Sequence, residues 1–527
     1  MCGYALPRGP QPAVTIQLAD IGFQGVPQAL VEAGASMLTV HFVDNTHLLV
    51  TYGLRGLVER IPDDPPDDND CAVGAVLVDL PTGKVLARAR WHLHDHGQYL
   101  WSLGNGRFLL RIRSTLTAIA PLANVDSKDP FEQMPFVHVP GVIDAVLVSP
   151  EGDLVTVEAS SPRKPRPEHP VLMVHDDEPK ETPHEVFYFV RAMGTGAAGS
   201  PVRAVAAGSV RTASVGLLPV NGRGYLFAES EKRIRWNMQF DSFDGDTRKL
   251  TYVDSSCPPR MQFVSPSQFV VFSCRGSDEK IMISAFNFAA RETWEELLGG
   301  STPFAHFAFA PQSGRFALSR TVSMASMPMS SLGPGALTTI GSVGGFSDPS
   351  STQEVRIYQV ESGDLLLKLS CVPVSPGGQN FDLSADGMSV LVVRNGAIEV
   401  YKLPAPSEQD KKDLEAMRAL EPPMPHTENV KLTRMLAGAP IEEPPVSTAE
   451  STQPAAPKPV AAPAAKVDEA AATSAPLPAA APAASAPANP AGDAMATAGD
   501  VETHRKPPSL LNPGETIDSG KKASRPE

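Results

Sequence analysis

The chain has 527 residues, 42% of them hydrophobic, and a formal net charge of −14. That is enough apolar material for a large core, while the acidic balance and the lack of a basic stripe with interleaved aromatics argue against a nucleic-acid partner. No apolar run reaches the ~18 residues needed to cross a bilayer as a helix, and the 52 prolines gather toward the C-terminal end, which sets that region apart.

Met1–Val14 (MCGYALPRGPQPAV) has neither the basic n-region nor the full apolar h-region of a signal peptide. Two readings follow. The protein is cytoplasmic, or the recorded start lies inside a longer gene and the protein is extracytoplasmic, periplasmic or secreted. The Ala/Pro-rich composition before Val14 resembles the spacer after a cleavage site and favours export. Residues 1–13 are expected to be a flexible N-terminus. Val14–Leu18 (VTIQL) is a strand with no partner nearby in sequence.

From residue 39 onward one pattern recurs: an alternating apolar run, a tight turn, and a second apolar run. The copies are TVHFVDNTHLLVTY from Thr39, YLWSLGNGRFLLRI from Tyr99, DAVLVSPEGDLVTV from Asp144, SVGLLPVNGRGYLFA from Ser214, RMQFVSPSQFVVFS from Arg260, AHFAFAPQSGRFALS from Ala305 and QNFDLSADGMSVLVV from Gln379. Alternation over such lengths with turn residues between reads as a β-hairpin. One hairpin cannot bury both faces, so seven of them imply sheets stacked around an axis.

Between the hairpins lie candidate outer pairs. Ala75–Arg88 turns at Thr82-Gly83, Arg235–Tyr252 at Asp244-Gly245, and Val355–Leu369 at Ser362-Gly363. Ile281–Leu298 is a further outer pair whose second half, TWEEL, is a good helix former. The seventh hairpin is followed by only one strand, Ala397–Leu403, so its sheet lacks a fourth strand that Val14–Leu18 would supply, closing the ring and covering an exposed edge. The fold class is therefore all-β: a seven-bladed β-propeller over 14–404, closed by an N-terminal strand. Ile61–Asp70 and Thr321–Gln353 read as long loops. Short helical segments are expected over 405–440, one with Ser407 as N-cap and Asp410 three residues on, another at Val430–Leu436. Residues 441–527 are a Pro/Ala-rich tail that lacks the apolar content to offset ordering entropy and is expected to be disordered. Its prolines suit extended recognition segments.

VSPEGDLVTV, FAPQSGRFALS and LSADGMSVLVV resemble the strand–turn–strand units of WD40-like and YVTN-like bacterial propeller repeats, over roughly residues 14–404. MLTVHFVDNTHLLVTYG and GQYLWSLGNGRFLLR are similar to segments of uncharacterised, secreted propeller proteins of acidobacteria. The resemblance implies a fold and no catalytic residue.

In a propeller the start of each inner strand lies near a mouth of the central channel. Aligning the hairpins places Thr39, Tyr99, Asp144, Ser214, Arg260, Ala305 and Gln379 there, and the candidate binding residues are Tyr99, Asp144, Arg260 and Gln379, with His41, Trp101 and His306 close in register. The ring is chemically mixed, whereas a metal-dependent hydrolase needs several carboxylates or histidines converging. Trp91–His96 (WHLHDH) carries histidines at alternate positions and touches on the His-x-His-x-Asp-His pattern of metallo-β-lactamase-type hydrolases. Without that motif's spacer, the segment reads as a strand end with a turn at Asp95-His96-Gly97. Asp63, Asp64, Asp67, Asp68 and Asp70 lack the glycine of a calcium loop and read as a solvated loop. SFDGDT at 242–247 reads as an Asp-Gly hairpin turn. Cys257 and Cys274 flank a hairpin turn; they read either as a cross-strand disulfide, which would favour export, or as two small core residues. No catalytic residue, metal ligand or cofactor is assigned. The function expected is a non-catalytic protein- or ligand-binding scaffold, a rigid monomeric disc that presents loops to a protein or peptide partner; the alternative is a propeller enzyme of lactonase or quinoprotein-like type working at the channel mouth.

Overall fold

Strands that alternate apolar and polar residues bury one face, and strands apolar throughout bury both. Here both kinds occur, as in Leu48–Val50 of His47–Gly53 and in Val85–Leu93, so the sheets are stacked between neighbours. The computed structural model describes residues 10–25, 36–55, 58, 69–119, 122, 129–160, 185–194, 202–212, 218–275, 280–298, 305–322, 352–371, 379–425 and 428–437. The chain is a seven-bladed β-propeller of seven four-stranded antiparallel sheets. Blades 1 to 6 span residues 39–93, 100–138, 142–212, 220–254, 260–297 and 305–371. Blade 7 takes its three inner strands from 381–402 and its outermost from Val14–Gln17, which pairs with Ala397–Lys402 in the register Val14↔Val400 to Gln17↔Ala397. The N-terminal strand therefore closes the ring.

Within a blade the third strand is typically buried on both faces, as in Cys71–Asp79, while the outermost, Val85–Leu93, alternates toward solvent. The core is distributed between blades. Ile16, Val40, Val50, Val76, Leu391 and Ile398 form one cluster that joins blades 7 and 1 across the closure. The outer-pair turns at Gly83, Gly245 and Gly363 all carry positive φ, as such turns require.

Glu292–Leu297 is a strand, not the helix that TWEEL suggests. Its backbone pairs with Lys280–Asn287, and Trp294 stacks on Tyr358 of blade 6 at 5.7 Å while donating to the Val360 carbonyl at 2.8 Å. Tertiary pairing overrides local propensity. In blade 4 the innermost strand is only Val220–Asn221; Ser214 lies outside the described residues. Cys257 and Cys274 are joined, with a Cα–Cα separation of 5.6 Å.

Two helices follow blade 7. Helix α1 (Glu408–Arg418) begins in a reciprocal cap: the Asp410 amide donates to Ser407 Oγ, and the Ser407 amide donates to the Asp410 carboxylate. Helix α2 (Val430–Leu436) is capped by Asn429 and buries Leu432 and Leu436 among residues of blades 2 and 3. The segment between crosses one face of the ring. Arg315 of blade 6 donates to the Pro404 carbonyl, Arg223 of blade 4 to Pro422, and Arg191 of blade 3 to Pro425. The Asn429 amide then donates to the Ala206 carbonyl, and the Ala206 amide donates to Thr433 Oγ1. Residues 404–425 and 428–437 thus form a strap from blade 7 to blade 3. No helix among the described residues is long and apolar enough to cross a membrane. Residues 1–9, most of the loops at 61–70 and 321–353, and the tail at 441–527 lie outside the described residues.

Candidate functional site

The inner strands enclose a cavity of about 480 Å³. Blades 1, 2, 3, 5, 6 and 7 line it; blade 4, with its two-residue inner strand, does not. At the end where the inner hairpins turn, Leu414 and Arg418 of α1 and Glu421 just beyond complete the wall. The strap therefore covers one end of the channel.

Of the residues singled out by the hairpin alignment, the structure brings His41, Trp101, His306 and Gln379 together in this wall. Gln379 fixes three blades at once: its side-chain amide donates to the Leu100 carbonyl at 3.1 Å, and its backbone carbonyl accepts from the Val40 amide at 2.9 Å. His41 is buried edge-on against Phe108, with Nδ1 3.7 Å from an Asp382 oxygen. That same oxygen accepts from the Phe42 amide at 2.8 Å. Among the described residues, His41 Nε2 and Trp101 Nε1 are buried without a hydrogen-bond partner.

The other three do not line the cavity. Tyr99 points between blades 1 and 2. Its hydroxyl donates to the Met37 carbonyl at 2.7 Å and contacts Thr51 Oγ1 at 2.6 Å, and burial pushes its pKa well above the ordinary phenol range. Asp144 sits in a β-bulge between Ile143 and Ala145 and is exposed. Arg260 opens the inner strand of blade 5, where burial pulls its guanidinium down to about 10.

Buried acids meet the strap. Burial, then the neighbouring Asp153 carboxylate, pushes Glu151 up to about 7 against the opposing pull of Arg223, with Glu421 of the strap adding to the rise. Burial, then Asp413 of α1, pushes Glu361 up to about 8. These values lie above the free value of 4.5. The folded chain therefore holds protons that the unfolded chain has already released. The associated stability is fully present below the free value and is lost as pH rises through the folded values. The melting temperature should fall as pH is raised from about 5 to about 8.5, and a Glu151→Gln/Glu361→Gln variant should melt with a flatter profile. Thermal melts across that range check this.

The WHLHDH segment ends its strand at Leu93 and turns at Asp95–Gly97, with the Gly97 amide donating to Asp95 Oδ1 at 2.7 Å. His92 and His94 do not face solvent. His92 Nε2 and His94 Nδ1 both lie 2.9 Å from Asp70 Oδ1. Asp70 is thus not part of a solvated acidic loop; Asp63, Asp64, Asp67 and Asp68 lie outside the described residues. Burial opposes ionisation of Asp70, but the two histidine contacts outweigh it and hold its pKa below the ordinary range.

No protein-family model matches the chain, and no curated protein matches it. Among solved structures, TolB from Acinetobacter baumannii is 12% identical with a TM-score of 0.29, covering 68% of this chain and 80% of that one. The C-terminal WD40 domain of Sif2 is 9% identical with a TM-score of 0.33, covering 76% of this chain and 100% of that one. The uncomplexed acylaminoacyl peptidase of Pyrococcus horikoshii is 10% identical with a TM-score of 0.38, covering 71% of this chain and 52% of that one. No ligand or activity passes to this chain from similarity of that degree.

Proposed function

We propose that the protein is a non-catalytic binding scaffold whose channel takes a peptide or protein segment, entering opposite α1. The observation that carries this reading is the chemistry of the wall. Trp101, His41, His306 and Gln379 offer aromatic surface and polar groups, and two buried nitrogens, the Trp101 Nε1–H donor and His41 Nε2, lack partners among the described residues. A peptide backbone carries both carbonyl acceptors and N–H donors that would satisfy such groups, whose unpaired burial is costly. The volume is within the ordinary range for a ligand cavity. The Cys257–Cys274 bond supports an extracytoplasmic setting, where disulfides persist.

The test is affinity capture from the native source with the full chain, a chain ending at Ala437, and Trp101→Ala and Gln379→Ala variants shown to be folded by circular dichroism. A cut at Ala437 spares the strap, which one after Pro404 would remove. A stoichiometric partner kept by the truncated chain and lost by the channel variants is the expected result. Recovery indifferent to both channel variants would sink the proposal. The second reading, a propeller enzyme acting in the channel, is supported by the His41–Asp382 pair, a base beside a carboxylate. Turnover in a hydrolase screen that disappears in His41→Ala would favour it instead.

A further inference from the structure

Away from the channel, the end of the outermost strand of blade 1 meets the residue that precedes the strand beside it. The pairing Cys71↔Leu93, continued by one residue, sets Asp70 opposite His94. We propose that Asp70, His92 and His94 form a binding site for a divalent transition-metal ion of the zinc type, with one coordination position left for water.

The three side chains are only 7%, 9% and 4% exposed. His92 lies in the paired strand, and Asp70 and His94 lie one residue beyond the paired end, where the Asn69 amide donates to the His94 carbonyl at 3.0 Å, so the site is largely built before an ion arrives. The three ligating atoms all lie within 4.8 Å of one another, and both imidazole nitrogens are 2.9 Å from the same carboxylate oxygen. A tetrahedral ion with bonds of about 2.0–2.1 Å needs neighbouring ligand atoms about 3.3 Å apart. Each imidazole therefore moves a few tenths of an ångström from the carboxylate, and the proton on its ligating nitrogen moves to the other ring nitrogen. Two imidazoles and one carboxylate suit zinc-type ions, whereas calcium and magnesium favour all-oxygen sets. Three protein ligands leave the fourth tetrahedral position to water.

One neighbour opposes the ion. Arg113 NH2 lies 3.2 Å from His94 Nδ1, so its guanidinium has to swing aside on binding. This gives the proposal a gain-of-affinity test that a hydrogen-bonded His–Asp–His knot without an ion does not share.

The experiment is titration of the metal-stripped full chain with Zn²⁺ by calorimetry, and with Co²⁺ by visible absorption, near neutral pH. The expected result is one equivalent bound with a Kd of about 1 µM or tighter, and a Co²⁺ spectrum of four-coordinate type. Asp70→Asn and His92→Gln should weaken binding ~100-fold or more, and Arg113→Ala, by removing a like charge beside the ion, should tighten it about 10-fold. Absence of saturable uptake by the unaltered chain overturns the proposal, as does uptake unchanged in Asp70→Asn and His92→Gln. Should those two variants fail to fold, the Arg113→Ala result decides: no gain in affinity overturns the proposal.

Discussion

Replacing Arg315 with methionine is expected to lower the stability of the folded chain by about 3 kcal/mol. Arg315 is 1% exposed and reaches three separate segments. Its guanidinium donates to the Gly387 carbonyl of blade 7 at 2.7 Å, to the Pro404 carbonyl at the start of the strap at 2.6 Å, and to Gln359 Oε1 of its own blade at 3.2 Å. Burial opposes the charge and lowers its pKa, while Asp410 and Asp386 pull it back up. Methionine matches much of the volume but leaves three acceptors unpaired. Lysine keeps the charge but, with one compact ammonium, cannot fan out to three diverging carbonyl groups, so Arg315→Lys should recover only part of the loss. Chemical denaturation gives the magnitude. Limited proteolysis adds a specific signature: cleavage beyond Pro404 should quicken in Arg315→Met, because the strap loses its anchor at blade 6. An unchanged denaturation midpoint would show that the clamp contributes nothing net.

The second large effect is expected at Gly152, in the inner turn of blade 3. Its φ is +67°, and a Cβ built there would lie 2.0 Å from the Leu103 carbonyl oxygen of blade 2. Two costs coincide in Gly152→Val: a left-handed backbone that a β-branched residue resists, and a clash with a neighbouring backbone that can yield only by parting two blades. Together they amount to about 4 kcal/mol. Gly104 supplies the control. Its φ is +72°, yet nothing lies within 4 Å of a built Cβ, so Gly104→Ala should cost only the backbone term of about 1 kcal/mol. Similar losses at the two positions in urea denaturation would mean that close approach of the blades is not the cause.

The ring was legible in the sequence because period-two alternation and turn glycines repeat seven times, and the unpaired strands at the two ends of that repeat pointed to their closure. Ile281–Leu298 is the outer pair its sequence suggests, and the helical alternative for TWEEL fails because that propensity is local, while the strand at Glu292–Leu297 is imposed by its pairing partner and by Trp294 against blade 6. The channel wall was half legible. His41, Trp101, His306 and Gln379 follow from hairpin alignment, but a bulge at Ile143/Ala145 breaks the alternation at Asp144, and Tyr99 turns between blades to complete a hydroxyl chain with Thr51 and Thr39. Asp382, beside His41, and the α1 residues came from outside the aligned positions. Asp70 sits 22 residues before His92 in what reads as an acidic loop. Only the strand register beginning at Cys71↔Leu93 reveals that it faces the histidines.

The closure of blade 7 also sets a clock on biosynthesis. Among the described residues, Val14–Gln17 is the earliest strand of the ring to be synthesised, and its partner, Ala397–Lys402, is the latest. At about 5–20 residues per second, the first strand waits roughly 20 to 80 s for that partner. During the wait its backbone donors and acceptors are open to any passing strand edge. The strand is only four residues long and alternates buried with exposed positions, so it offers a nascent neighbour little to hold. Its brevity is what makes so long a delay tolerable, and native blade 7 can exist only once translation has passed Lys402.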